Sequence, residues 1–223
     1  MNNGPDVPPA EFTDRLQTLK QRGCNILVTG TVSEEVSQRM TRKLLGEPEN
    51  PRARILALTD QDREDAPDLL PDSVAPSDES VSVVDVGGTR SATATSPPEA
   101  GAAWHRDGID ELRKRVCDAI ATAKISQSGF EPAQLRVSVF TLSSLVNQYD
   151  PAAIEQFVSA LGDHVRGARG MAHFHLPVAD DAEAVRRLAP LFDVRIELRE
   201  TNGLPEQRWH FPDRDVSTSW VGL

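Results

Sequence analysis

The sequence predicts an α/β protein: a mainly parallel, doubly wound sheet that ends in a C-terminal antiparallel meander. Two observations predict it. From residue 9 to residue 200, short apolar runs alternate with segments of helical periodicity. Strands alternating with helices favour a parallel sheet covered on both faces. Beyond that, Asn202–Gly203 stands between two alternating segments, a strong hairpin signal. The 223 residues fit one domain, 1–223.

Each element has a local reason. Pro8 and Pro9 open a helix over 9–22, with Phe12, Leu16 and Leu19 on one face and Gly23 as its stop. CNILVTG (24–30) reads as a buried strand. Val32, Val36, Met40 and Leu44 form the i+4 row of a second helix that ends at Gly46, and RILAL (54–58) is the next strand. Residues 61–80 carry seven acids against one base and three prolines, which predicts an exposed, partly disordered acidic loop. VSVVDV (81–86) is a strand, and 87–103 is a flexible loop rich in Ala, Ser, Thr, Gly and Pro. Ile109, Leu112, Val116 and Ile120 mark a helix, and LRVSVFTL (135–142) a strand. Asp150–Pro151 caps a helix whose inner face is Ile154, Phe157, Val158, Leu161 and Val165, stopped by Gly167 or Gly170. MAHFHL (171–176) is a strand, and Ala182, Val185, Leu188 and Leu191 mark a helix. DVRIELRE (193–200) alternates like a half-exposed strand, EQRWHF returns, and Ser219–Leu223 forms a last strand.

Composition narrows the class. The formal charge is −10, with 20 Arg but only 4 Lys, and 19 Asp against 15 Glu. This balance resembles that of proteins from salt-loving archaea. In molar salt the Debye length is about 3 Å, so an acidic surface neither attracts nor excludes a nucleic acid at long range. No apolar stretch approaches the roughly 20 residues that span a bilayer. The N-terminal MNNGPDVPPAEF has neither the basic start nor the apolar run of a secretory signal. Cys24 and Cys117 are too few for a disulfide framework and read as reduced core thiols, so a cytoplasmic location is expected.

In a doubly wound sheet, ligands gather at the carboxyl ends of strands. A phosphate loop, GxxxxGK[ST], belongs after the first strand: its Gly permits a nest of amides, its Lys meets the phosphates and its hydroxyl holds magnesium. The corresponding run is Gly30-Thr31-Val32-Ser33-Glu34-Glu35-Val36-Ser37. Gly30 and Ser37 match. Glu35 replaces the second Gly and Val36 replaces the Lys. Two like charges about 4 Å apart repel by about 4 kcal/mol at an effective dielectric near 20, so Glu34 and Glu35 oppose a phosphate.

The N-terminal helix leading into GCNILVTG, the run LRVSVFTLSSLV and the tail FDVRIELRETNGLPEQRWHF with SWVGL together resemble RecA-superfamily P-loop ATPases of the KaiC-like group. More narrowly, the chain is similar to haloarchaeal KaiC-like proteins of unassigned function. The resemblance implies a RecA/KaiC-like P-loop NTPase fold. It places the magnesium-binding Walker B Asp at Phe140, with Thr141 and Ser143 at the hydroxyl positions after it. It places the catalytic acid at Asp60 or Asp62. An aromatic ring cannot hold a hydrated cation. With Val36 and Phe140 at the two critical positions, the expectation is a degenerate P-loop with no catalytic residue, no metal and no cofactor. Gly30, Thr31 and Ser37 remain as a vestigial nucleotide-binding loop.

Other candidates weigh less. His173 and His175 lie two apart on a strand and share a face, half of a metal site, though core packing explains them as well. Ser143 and Ser144 lack a nucleophile elbow and read as a helix cap. Thr89-Arg90-Ser91 follows a strand end, where Arg90 would meet an anion or pair with a carboxylate. Trp209 and Trp220 are packing residues, or an aromatic patch for a partner if exposed together.

The expected function is that of a pseudo-ATPase acting as a protein-binding or regulatory module, by self-association or by pairing with an active paralogue. The alternative is an ATP-binding or ATP-hydrolysing protein with a rebuilt phosphate loop. In it Ser37, Arg39 and Arg42 handle the phosphate of a magnesium nucleotide and Asp60 is the acid. A nucleic-acid partner is not favoured, because Arg113-Lys114-Arg115 and Arg186–Arg187 read as solvated helix faces.

Overall fold

A computed structural model describes residues 7–85 and 106–223. The loop expected at 87–103, with Thr89, Arg90 and Ser91, lies outside the described residues.

The elements run in chain order as α1 (Pro9–Arg22), β1 (Cys24–Thr29), α2 (Glu34–Leu45), β2 (Ala53–Leu58), α3 (Ala66–Leu69), β3 (Val81–Asp85), α4 (Arg106–Ser126), β4 (Leu135–Phe140), α5 (Leu142–Gln148), α6 (Pro151–Gly167), β5 (Met171–Leu176), α7 (Glu183–Leu188), β6 (Val194–Thr201), β7 (Leu204–Phe211), β8 (Val216–Ser217) and β9 (Val221–Gly222). All nine strands form one sheet in the order β3-β2-β4-β5-β1-β6-β7-β8, with β9 also on β7. Strands β1 to β6 pair in parallel. β7 turns back antiparallel on β6, and β8 and β9 pair antiparallel with β7. The expected α/β class, with a mostly parallel sheet and antiparallel C-terminal strands, is what the chain adopts.

Helices cover both faces. On one, α4, α5, α6 and α7 place Ile109, Leu112, Leu145, Phe157, Leu161 and Val185 over Leu27, Ile55, Val137 and Phe174 of the strands. On the other, α1 and α2 place Leu19, Val36, Met40 and Leu44 over Ile26, Val28, Val194 and Ile196. The two faces explain why β1, β2, β4 and β5 are buried along their whole length and are mostly apolar, with Asn25, Arg54, Arg136, His173 and His175 among the buried exceptions. Each large side chain so buried stabilises the fold by roughly 1.5–3 kcal/mol.

The hairpin is where Asn202–Gly203 predicted it, with φ of 53° and 76° and Thr201 opposite Leu204. Its strand β6 alternates as expected, with Val194, Ile196 and Leu198 buried and Arg195 and Glu197 on the opposite face.

Four expectations need correction. The acidic stretch is ordered at its centre, because Ala66, Leu69 and Leu70 are buried against Leu56, Leu58 and Phe140, an apolar anchor the many acids obscured. Asp62 and Asp65 form a reciprocal capping box at the start of a 3₁₀ turn, Arg63–Asp65. The strand expected over 135–142 stops at Phe140. Thr141 N-caps the helix α5, accepting from the Ser143 amide at 3.2 Å, so the cap is Thr141 and not the Ser143–Ser144 pair. The last strand shrinks to Val221–Gly222. As for the thiols, Cys24 is buried, with its pKa pushed up to about 12 chiefly by burial, and Cys117 is half-buried and packs against the edge of the core.

Candidate functional site

The chain leaves β1 through α2 on one face and β5 through α7 on the other, so the carboxyl ends of β1 and β5 mark the switch point of the sheet, where a ligand crevice is expected. Gly30 lies at its lip. Its φ is +119°, and a Cβ there would lie 2.1 Å from the Leu198 carbonyl oxygen. Gly30 is therefore needed for the close approach of β6. Its amide donates to the Val178 carbonyl at 2.9 Å.

Only Thr31, Val32 and Ser33 separate Gly30 from α2. Glu35 and Val36 already belong to the first turn of that helix, where no flexible joint and no cation exist. The positive end of a helix is where a phosphate would be held. Here the Ser33 amide donates to Oε2 of Glu200 at 2.8 Å. Glu34 accepts from Gln38 at 3.3 Å and from Gln61. Thr31 is exposed, whereas Ser37 is buried one turn into α2, where its carbonyl accepts from Thr41. The loop residues Gly30, Thr31 and Ser37 are thus not brought together around a common point.

The opposite side of the crevice is filled. Phe140 is buried and tilts against His175 at 5.0 Å between ring centroids, and His175 Nε2 lies 2.9 Å from Thr41 Oγ1. His173 stands 5.5 Å from His175 on the same face, turned away from Ala172, Phe174 and Leu176 as the alternation required. Burial holds His175 down to about 3 and His173 well below the usual imidazole value, with His175 and Arg136 adding to the effect on His173. Both are neutral side chains of the α2–sheet interface.

The residues of the alternative site are engaged elsewhere. Asp60 accepts from the Thr141 amide at 3.2 Å and from Thr141 Oγ1 at 2.7 Å, tying the end of β2 to the end of β4. Arg42 donates to the Asp68 carbonyl, away from Gly30, and Arg39 is exposed on a helix that is not unwound at its start. Trp209 is buried, its ring edge-on to Phe12 at 5.4 Å, while half-buried Trp220 lies under the Arg199 guanidinium at 3.9 Å. The two indoles form no common patch.

A second feature escaped the sequence. On the α7 face, β6 and β7 extend beyond the helices, leaving a groove of about 1030 Å³. Asp180, Glu197 and His210 meet in it, their ligand-type atoms all within 4.8 Å of one another. Their sequence spacing matches no ligand motif. The usable signal was the hairpin register, which puts Arg195 opposite His210 and Glu197 opposite Arg208 on one face.

The fold and crevice define an α/β protein with a parallel sheet whose first strand-to-helix loop is closed by the protein's own groups. The chain matches the DUF7504 family, a family of unknown function, over residues 23–198, and it belongs to that family. The match runs from β1 to Leu198 of β6. No curated protein matches the chain.

Proposed function

We propose that this protein is a non-catalytic, KaiC-like member of the RecA superfamily, a pseudo-ATPase that acts as a protein-binding or regulatory module. The observation that carries the reading is the Glu200 carboxylate on the Ser33 amide. An internal anion takes the helix end that a nucleotide phosphate needs, and it comes from a strand packed against the loop. Val36 and Phe140, at the positions of the phosphate-binding cation and the magnesium carboxylate, are both buried and apolar. The order of the sheet supports the same ancestry. β1, with the Gly30 loop, and β4, with Phe140, flank a single intervening strand and end at one crevice.

The binding role is supported by the C-terminal end of the sheet. Leu204, at the hairpin end of β7, and Val221, in the two-residue edge strand β9, are 69% and 47% exposed, and the short outer strands β8 and β9 leave a sheet edge open to another chain. In no helix of the described residues is there a stretch long and apolar enough to cross a membrane.

Two measurements in multimolar KCl test this. Phosphate release from magnesium ATP should equal the no-protein control, and light scattering should give a mass above the 24.4 kDa monomer, or one that rises when a candidate partner is added. Turnover abolished by Asp60→Ala would establish the enzyme reading instead.

A further inference from the structure

We propose that Asp180, Glu197 and His210 form a binding site for a divalent transition-metal ion of the zinc type, open to the groove beside β6 and β7. The inference is independent of the nucleotide reading, since none of the three residues belongs to the Gly30 loop.

Three different segments supply the donors: the turn after β5, β6 and β7. His210 Nε2 is 2.9 Å from Glu197 Oε2, and all three ligand atoms lie within 4.8 Å of one another. Ligands bound at roughly 2.0–2.2 Å in a tetrahedron stand about 3.4 Å apart, so small side-chain rotations close the set on an ion once the Nε2 proton that faces Glu197 moves to Nδ1 or is released to solvent. One imidazole nitrogen with two carboxylate oxygens suits zinc, cobalt or manganese better than magnesium or calcium, which favour oxygen alone.

The donors are held by outer partners. Thr29, the last residue of β1, donates from Oγ1 to Asp180 Oδ1 at 2.7 Å, and its hydroxyl is also 3.5 Å from the Ile196 carbonyl. Arg195 pairs with the other Asp180 oxygen. A carboxylate has about four lone-pair sites, so these two contacts orient Asp180 and leave room for a metal. Arg195 also keeps the set from being a bare anionic cluster, since its guanidinium offsets one of the two carboxylates beside the imidazole. Thr29 and Asp180 border the carboxyl ends of β1 and β5 on the α7 face of the sheet, the side away from α2 and the Gly30 loop. Three protein donors beside a groove leave a coordination position for water or an anionic ligand, the arrangement of an open site and not of a closed structural one.

The test uses the full chain, stripped with a chelator and titrated with Zn²⁺ in KCl at pH 7.5. The expected result is one ion per chain, with affinity at least tenfold weaker in His210→Ala and in Glu197→Gln, about tenfold weaker in Thr29→Val, and unchanged in His164→Ala. Should His210→Ala fail to fold, the wild-type chain decides. Zn²⁺ should protect His210, and not the exposed His164, from diethyl pyrocarbonate, read by peptide mass spectrometry. No saturable binding, equal loss in His164→Ala, or equal modification of His210 with and without Zn²⁺ would overturn the proposal.

Discussion

At Glu200, one exposed carboxylate does what a bound phosphate does at the start of a helix: it accepts from an amide and lies against the positive end of the dipole. Removing it by Glu200→Ala should lower stability by between about 0.5 and 1 kcal/mol, read from urea denaturation, with a smaller loss in high KCl. Asp60 is a sharper case. It would be the acid of an ATPase, yet both of its oxygens serve Thr141. Asp60→Ala should therefore cost about 1–3 kcal/mol of stability, from the unpaired Thr141 amide and hydroxyl, while Asp60→Asn should lose less. A catalytic role would show the reverse pattern, with lost turnover and little lost stability.

The element that decides the crevice is α2, because both of its ends are satisfied from within. Its N-terminus faces Glu200. Its C-terminal carbonyls meet arginines: Arg136 donates to the Leu44 carbonyl at 3.3 Å, and Arg54 donates to Gly46 and Glu47 at 3.1 and 2.9 Å. Burial brings Arg136 down to about 10, with Arg52 adding to the effect, and the carbonyls it bonds keep it in place. The entry to α2 is as constrained as its ends. Gly30→Ala should destabilise the protein by at least about 2 kcal/mol, measured by thermal or chemical unfolding, because the new Cβ collides with the Leu198 carbonyl at a φ that L-residues avoid.

The apolar rows of α2 and α6 and the Asn202–Gly203 turn were legible in the sequence because they are set by local periodicity and φ preference. The occupancy of the crevice was not. Glu200 is 167 residues from Ser33, and Asp60 is 81 residues from Thr141, contacts that only the sheet order creates. Leu69 and Leu70 were hidden for a related reason: two buried side chains outweigh the acids around them once Phe140 and Leu58 are beside them.

At the scale of the whole molecule, the two neutral histidines make stability depend on pH. In the unfolded chain they titrate near 6.5, and in the folded chain both are held lower, His175 to about 3. The unfolded state then binds more protons below pH 6.5, so stability is full above that pH and falls as pH drops toward 3. Between pH 7.5 and 5.5 the unfolding free energy should fall by about 2–3 kcal/mol in molar KCl, where surface charge is screened. His175→Gln should roughly halve that slope, and a flat profile would mean that the pair is solvated.

The same interior surface closes the nucleotide crevice, and nucleotide binding tests the account most directly. A fluorescent ATP analogue with magnesium, titrated into the wild-type chain in multimolar KCl, should show no saturable binding. The double variant Glu35→Gly, Val36→Lys, combined with Glu200→Ala, should gain it. Micromolar binding to the wild-type chain that disappears in Ser37→Ala would contradict the central claim.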